Sequence, residues 1–188
     1  AEMAVKEVNA AGGLDVGGKK LKVELFVADN GGKADQSSAA AQKLITQEEV
    51  LAIIGPNASR YAIPASEIAE GNQTIFITPW STNPKTTLDA VTGKPKRYAF
   101  RSCFIDPFQG TVMAKFASGK GVKKVAVLRD VGNDYSVGLA DYFLSKFKEL
   151  GGKIVDDQSY KAGDQDFKAQ LTAIKAKGPE AIYVPGYY

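Results

Sequence analysis

Leu51-Ala52-Ile53-Ile54-Gly55-Pro56-Asn57-Ala58-Ser59 decides the fold. Four apolar residues stopped by Gly-Pro read as a short central strand buried on both faces, since a half-exposed strand would alternate apolar with polar. Ser59 or Asn57 then offers a side-chain oxygen to cap a helix that runs to about Gly71. After it, Thr74-Ile75-Phe76-Ile77-Thr78 is a β-branched run closed by Pro79, a second strand. Strand, helix and strand in this order are the signature of a parallel sheet covered by helices.

The same rhythm extends in both directions. Upstream, residues 1–11 place Ala4, Val8 and Ala11 on one helical face and stop at Gly12-Gly13. Residues 20–28 alternate, with Leu21, Val23, Leu25 and Val27 opposite Lys20, Lys22, Glu24 and Phe26, which predicts a strand at or near a sheet edge. Residues 33–49, rich in Ala and Gln, form a helix. Downstream, residues 80–96 read as loop, 97–104 as a strand, and Asp106-Pro107 opens a helix to about Gly119, with Pro at a position where its missing N–H costs nothing. Strands over 124–128, 153–160 and 181–184 then alternate with helices over 135–150 and 166–177, the last carrying Phe167, Leu171 and Ile174 as an apolar stripe.

The fold class is α/β, in two lobes of residues 1–105 and 106–188, each a parallel sheet flanked by helices. A helix with no strand before it, and a final strand with nothing after it, predict that both lobes are incomplete as written. The strand at 20–28 would then lack a parallel neighbour and leave backbone donors open. The folded object is therefore expected to include further polypeptide, or to exchange elements with a second copy as a domain-swapped or fragment-complemented homo-oligomer.

Composition narrows the function. Among 188 residues, 24 Lys and Arg face 21 Asp and Glu, a net charge of +3, and the 44% hydrophobic share is that of an ordinary soluble domain. With no His and one Cys (Cys103), the chain has no His-based triad, no His or multi-Cys zinc site and no internal disulfide. Basic residues are scattered among acids, so no nucleic-acid footprint forms. No apolar run approaches the roughly 20 residues of a membrane span. No GxGxxG or GxxxxGK[ST] phosphate cradle occurs. No catalytic residue, metal or cofactor is expected.

Candidate binding residues gather in loops that follow the carboxyl ends of strands, where open α/β sheets bind ligands. Ser59 reads both as an N-cap and as a carboxylate ligand at the positive end of a helix dipole, and the two roles are compatible. In the Pro79-to-Pro84 loop, Trp80 either presents an apolar wall beside Ser81 and Thr82 or folds back to pin its own loop. Tyr135 either projects into a cleft or faces the core. Asp130 and Asp134 resemble an acid–base pair but stand where N-caps belong. Cys103, in a strand with no base to activate it, reads as an inert buried thiol. A fourth loop holds Pro185-Gly186-Tyr187-Tyr188.

Taken together, Val5-Lys6-Glu7-Val8-Asn9-Ala10-Ala11-Gly12-Gly13-Leu14, Ala52-Ile53-Ile54-Gly55-Pro56, Ile77-Thr78-Pro79-Trp80-Ser81-Thr82-Asn83-Pro84, Asn133-Asp134-Tyr135-Ser136-Val137-Gly138 and Gly163-Asp164-Gln165-Asp166-Phe167 closely resemble the type I periplasmic binding proteins of the leucine/isoleucine/valine-binding family. The resemblance runs through the whole chain in order and spacing. It implies the substrate-binding component of an ABC importer, periplasmic or extracellular and lipid-anchored in some members. Such a protein works with a membrane permease and closes two hinged lobes on an amino acid or similar small polar solute, without catalysis. By the same resemblance the carboxylate-binding serine falls on Ser59, loop contacts on Trp80, Ser81 and Thr82, and second-lobe tyrosines on Tyr135 and Tyr187. The acidic residue that such proteins use for the α-ammonium would lie beyond Tyr188. Trp80 stands where branched-chain binders carry a small residue, and an indole there would narrow the pocket or stack on a flat ligand. A ligand-sensing domain of a receptor or regulator shares the fold and is the alternative.

Overall fold

The structure, a computed structural model, describes residues 1–187. The first helix, α1 (Glu2–Ala10), ends where Gly12 and Gly13 take φ of 102° and 105°, values that a side chain disfavours. Gly13 is also required by space, since a Cβ there would stand 2.1 Å from the Leu21 carbonyl oxygen. Next, β1 (Leu14–Val16) and β2 (Lys19–Leu21) pair antiparallel around Gly17-Gly18. The strand expected over 20–28 is therefore realised only at its start, and in a hairpin. Beyond it, Asn9 on α1 takes both backbone groups of Val23, donating to its C=O and accepting from its N–H at 2.8 Å each. Alternation specified two faces but no ladder partner, and Val27 is left 79% exposed.

The first sheet is built from two helices and three strands: α2 (Ala34–Thr46), β3 (Ala52–Ile54), α3 (Ser59–Gly71), β4 (Ile75–Thr78) and β5 (Ala99–Arg101). The strands run parallel in the order β3-β4-β5. Ile53, Phe76 and Ala99 point to the helical side, where Ala41 of α2 and Ala62, Ala65 and Ala69 of α3 close over them. Small residues let the helices lie close to the sheet, and the ring of Phe76 fills the gap. The expectation of a strand buried on both faces fails for β3: Ile54, on the other face, is 67% exposed, because helices cover only one side of this sheet among the described residues. The 80–96 loop contains one 3-10 turn, Pro84–Thr86, and is tied across itself by a Leu88–Pro95 bridge.

A single passage through residues 102–105 leads to the second sheet. Its elements are α4 (Asp106–Gly119), β6 (Lys124–Asp130), α5 (Asp134–Glu149), β7 (Lys153–Tyr160), α6 (Lys168–Ala176) and β8 (Ala181–Tyr183), with parallel strands in the order β7-β6-β8. As the middle strand, β6 is buried on both faces: Val125 packs with Phe143, Phe147 and Ala114, and Ala126 and Leu128 pack with Ile174. Phe143 lies between the rings of Phe147 and Tyr183, at centroid distances of 5.5 and 3.9 Å. The last helix begins two residues later than expected. Phe167 caps it and meets Tyr160 edge-on, Ile174 is buried, and Leu171 is half exposed, so only the ends of the expected stripe are used.

Loops at the carboxyl ends of β3 and β4 meet those of β6 and β8. Asn83 Nδ2 donates to the Asp134 carbonyl at 2.9 Å, and Lys85 approaches the Asp134 carboxylate at 3.7 Å. Among the described residues no helix is long and apolar enough to cross a membrane.

Candidate functional site

Ser59 is the first residue of α3, not its cap: the N-cap is Ala58, whose side chain makes no capping hydrogen bond. The Ser59 hydroxyl is instead drawn to the loop after β4, where it accepts from Ser81 Oγ at 3.0 Å and from the Asn83 N–H at 3.3 Å. Ser81 Oγ also shares a 2.6 Å hydrogen bond with Thr86 Oγ1, and its N–H donates to Thr78 Oγ1 at 3.1 Å. Ser59, Ser81, Thr82 and Thr86 are all buried. Buried hydroxyls need partners, and here those of Ser59, Ser81 and Thr86 are linked in a chain that sets the loop against the helix N-terminus.

Two cations hold this loop from behind. Arg101 on β5 donates to the Ser81 carbonyl at 2.6 Å, the Asn83 carbonyl at 3.0 Å and Thr87 Oγ1 at 2.6 Å; burial pulls its pKa below the ordinary value, and the neighbouring Cys103 and Asp106 oppose that. Lys96 is buried with its Nζ 2.6 Å from Glu67, and it donates to Ser66 Oγ at 2.9 Å and the Lys85 carbonyl at 3.0 Å. Neither residue was singled out from sequence, where each is one charge among many; only the convergence of loop carbonyls on them reveals the role. Cys103 is partly buried with its thiol pushed up by burial, in keeping with an inert group.

From the second sheet, Asn133 caps α5 and accepts the Tyr135 N–H at 3.1 Å. The capping expected of Asp130 and Asp134 thus belongs to the residue between them, while Asp130 takes the Gly132 N–H at 2.9 Å in the preceding turn. Tyr135 stacks on Tyr187 at a centroid distance of 5.0 Å and an interplanar angle of 9°, and its hydroxyl accepts from Gln109 Nε2 at 3.1 Å. Burial pushes Tyr187 up to about 12, against the Ser59 backbone N–H and the Arg60 charge, which favour its ionised form. At neutral pH it remains a neutral phenol.

The structure therefore brings Ser59, Ser81, Thr82, Tyr135 and Tyr187 together, with Tyr187 reaching the first turn of α3. Trp80 is not part of this packing: its indole is 61% exposed, because the chain turns at Pro79 and directs Ser81 inward. Beside the cluster, a cavity of about 300 Å³ opens between Asn83 and Lys85 on one side and Asp134, Gly138 and Tyr142 on the other. Among the described residues no group of three or more His, Cys, Asp or Glu is placed to hold a metal ion.

Buried hydroxyls and the N-terminus of α3 thus face a tyrosine pair across a seam, an arrangement that can offer neutral hydrogen bonds but no nucleophile with a base. A family pattern described as periplasmic binding protein matches residues 1–186. The chain belongs to the periplasmic binding protein family. Among solved periplasmic binding proteins, the leucine-binding protein LivK of Thermotoga maritima is 40% identical with a TM-score of 0.86, over 98% of this chain and 50% of that one. The branched-chain amino acid transporter substrate-binding protein LivJ of Streptococcus pneumoniae, solved with isoleucine, is 37% identical with a TM-score of 0.82, over 100% of this chain and 51% of that one. An amino acid binding protein of Pseudomonas aeruginosa is 36% identical over all of this chain and 48% of its own length. The chain thus spans about half the length of these relatives, and its two sheets belong to the two lobes of the type I periplasmic binding protein fold.

Proposed function

We propose that the protein acts outside the cytoplasm as the substrate-binding component of an ABC importer, taking an amino acid or similar small polar solute between its lobes and passing it unaltered to a membrane permease. The observation that carries this reading is the buried Ser59–Ser81 hydroxyl pair at the N-terminus of α3, faced by the stacked Tyr135 and Tyr187. A carboxylate suits the first group, because uncapped N–H donors and the helix dipole both favour an anion. The lobes divide at 105/106, and the Tyr135–Tyr187 pair closes on a solute already held by Ser59, Ser81 and Thr82. Trp80, exposed on the loop that carries Ser81, turns toward the solute on closure. Hinge closure of this kind is driven by differential affinity of a few kcal/mol and needs no covalent step. A lipid anchor in the full-length protein and self-association through the open edge of β3 belong to the same proposal.

Calorimetry on the full-length protein with a panel of amino acids tests the reading. Ser59→Ala should weaken binding by about 1.5–3 kcal/mol, the worth of a hydrogen bond to a charged group. An unchanged affinity would remove Ser59 from the site, and a wild type that binds none of the panel would end the proposal.

A further inference from the structure

The amino end of the second sheet concentrates positive charge that the solute site does not use. β6 and β7 each begin with a lysine, Lys124 and Lys153, and their parallel register sets these two side by side. Lys123 is held at the same place, its carbonyl accepting the Lys153 N–H at 2.8 Å. α4 ends shortly before β6 with Lys120 as its C-cap, and α6 ends shortly before β8 with Lys175 in its last turn and Lys177 as its C-cap. All six lysines are exposed, and none is ion-paired among the described residues.

Two acids of the second lobe stand at this end, and both are engaged. Glu149 pairs with Lys146 of its own helix at 2.6 Å. Glu180 turns its carboxylate on the backbone, accepting the Lys123 N–H at 2.5 Å and the Lys124 N–H at 3.2 Å. A lysine at a helix C-terminus answers the negative end of the dipole, which accounts for Lys120, Lys175 and Lys177. It does not account for Lys123, Lys124 and Lys153, which stand at strand starts. Like charges on neighbouring strands repel, and Glu180 offsets them only in part. The other end of the sheet differs in sign: Asp130, Asp134, Asp164 and Asp166 stand in or beside the loops after β6 and β7, with Lys161 and Lys168, while Arg129 is engaged by Asp141 and Asp157. The length of β6, about 20 Å, separates the two ends, more than twice the screening length at physiological salt, so the basic face acts independently of the acids and of the solute loops.

The chemistry of the face selects its partner. Its cations are all lysines, compact charges on flexible stems; the fork of an arginine, which grips one phosphate or carboxylate bidentately, is absent. Charges spread over three loop regions match a field spread over a surface better than a single ion. A protein that serves a membrane permease works beside such a surface.

We propose that the amino end of the second sheet is a docking face that holds the protein electrostatically against the anionic phospholipid headgroups of a membrane. Docked by this end, the second lobe keeps its solute loops about 20 Å from the headgroups and leaves the first lobe free to hinge.

The experiment is vesicle co-sedimentation of the full-length protein, produced without any lipid modification. The vesicles are of phosphatidylcholine alone or of phosphatidylcholine with phosphatidylglycerol. Binding is expected only to the anionic vesicles, and it should weaken as salt rises toward about 0.15 M. Lys123→Gln, Lys124→Gln and Lys153→Gln together should weaken it at least about thirtyfold, from a loss of about fivefold per lysine. The control, Lys6→Gln, Lys161→Gln and Lys168→Gln together, removes the same net charge elsewhere and should bind within about twofold of wild type. Tm of the first variant should hold or rise, because repulsion is relieved. No binding to anionic vesicles, equal binding to both vesicles, or equal losses in the two variants overturns the assignment. Displacement from the vesicles by inorganic phosphate at constant ionic strength overturns it in favour of a discrete anion site, and capture by immobilised poly-L-glutamate but not by vesicles overturns it in favour of an acidic protein. The solute reading is tested separately by calorimetry: a protein that binds anionic vesicles but no amino acid keeps this face and loses that reading, and the converse loses this face alone.

Discussion

Replacing Gly110 by alanine should destabilise the protein, although alanine is the better helix former. Gly110 lies in the middle of α4 where that helix crosses α5, and it is buried. A Cβ there would stand 2.7 Å from Tyr142 Cβ and 2.8 Å from the Phe143 N, both anchored to the backbone of α5 and unable to swing away. Relief requires the helices to separate by several tenths of an ångström, which disturbs Phe143 between Phe147 and Tyr183 and the contact with Ala114. Overpacking of this kind costs about 1–3 kcal/mol, and the gain in helix propensity returns at most about 1 kcal/mol. The net expectation is a loss of about 1–2 kcal/mol, which lowers Tm by about 2–8 °C in a protein of this size. Gly119→Ala is the control: it makes the same chemical change in the same helix, where a Cβ meets nothing within 4 Å, so stability should hold or rise. Urea denaturation of both variants checks the pair, and a fall of similar size in both would show that the helix crossing is not the cause.

Three further outcomes follow from named contacts. Gly138→Ala puts a Cβ 2.9 Å from Asn83 Nδ2, whose bond to the Asp134 carbonyl links the lobes; losing it should weaken closure by about 1 kcal/mol and solute affinity about fivefold, read by calorimetry. Lys96→Met keeps the aliphatic length but strands the Lys85 carbonyl and removes the ion pair with Glu67, so about 1–3 kcal/mol of stability and the protease resistance of the 85–96 segment should be lost in limited digestion. Asp106 is raised from 3.8 to about 6 on folding, so its charged form opposes the folded state: the penalty is absent below about pH 4, grows between pH 4 and 6, and is complete above. Asp106→Asn should therefore exceed wild type in stability by about 1–3 kcal/mol at pH 7, with the gap closing by pH 4 in denaturation series.

The order of elements was legible because it rests on local signals. Gly-Pro after Ile54, the β-branched run before Pro79, Pro107 near a helix start and the Ala-rich segment before Glu49 each act within a few residues, and each appears where periodicity put it. The loops at strand ends were legible for the same reason, and with them the positions of Ser59, Ser81, Thr82, Tyr135 and Tyr187. Failures came where a residue depends on something distant in the chain. Residues 20–28 alternate like a strand, but a strand exists only with a ladder neighbour, and Asn9 takes the Val23 groups instead. Ser59 has the chemistry of a cap, yet its hydroxyl is claimed by Ser81 and Asn83, more than twenty residues away. Trp80 reads either as a wall beside Ser81 and Thr82 or as a pin for its own loop, and local sequence does not decide between them; it lies exposed, outside the buried packing.

Periodicity and turn chemistry alone determined an α/β chain with polar loops at the carboxyl ends of its strands, and composition alone removed His-based and zinc chemistry. Tertiary structure decided that Arg101 spends its donors on loop carbonyls, that Tyr187 stacks on Tyr135, and that Asp106 is enclosed without a partner. The physical reason is that backbone preference is a property of neighbouring residues, whereas desolvation and hydrogen-bond satisfaction belong to whichever groups the folded chain brings within about 3 Å of one another.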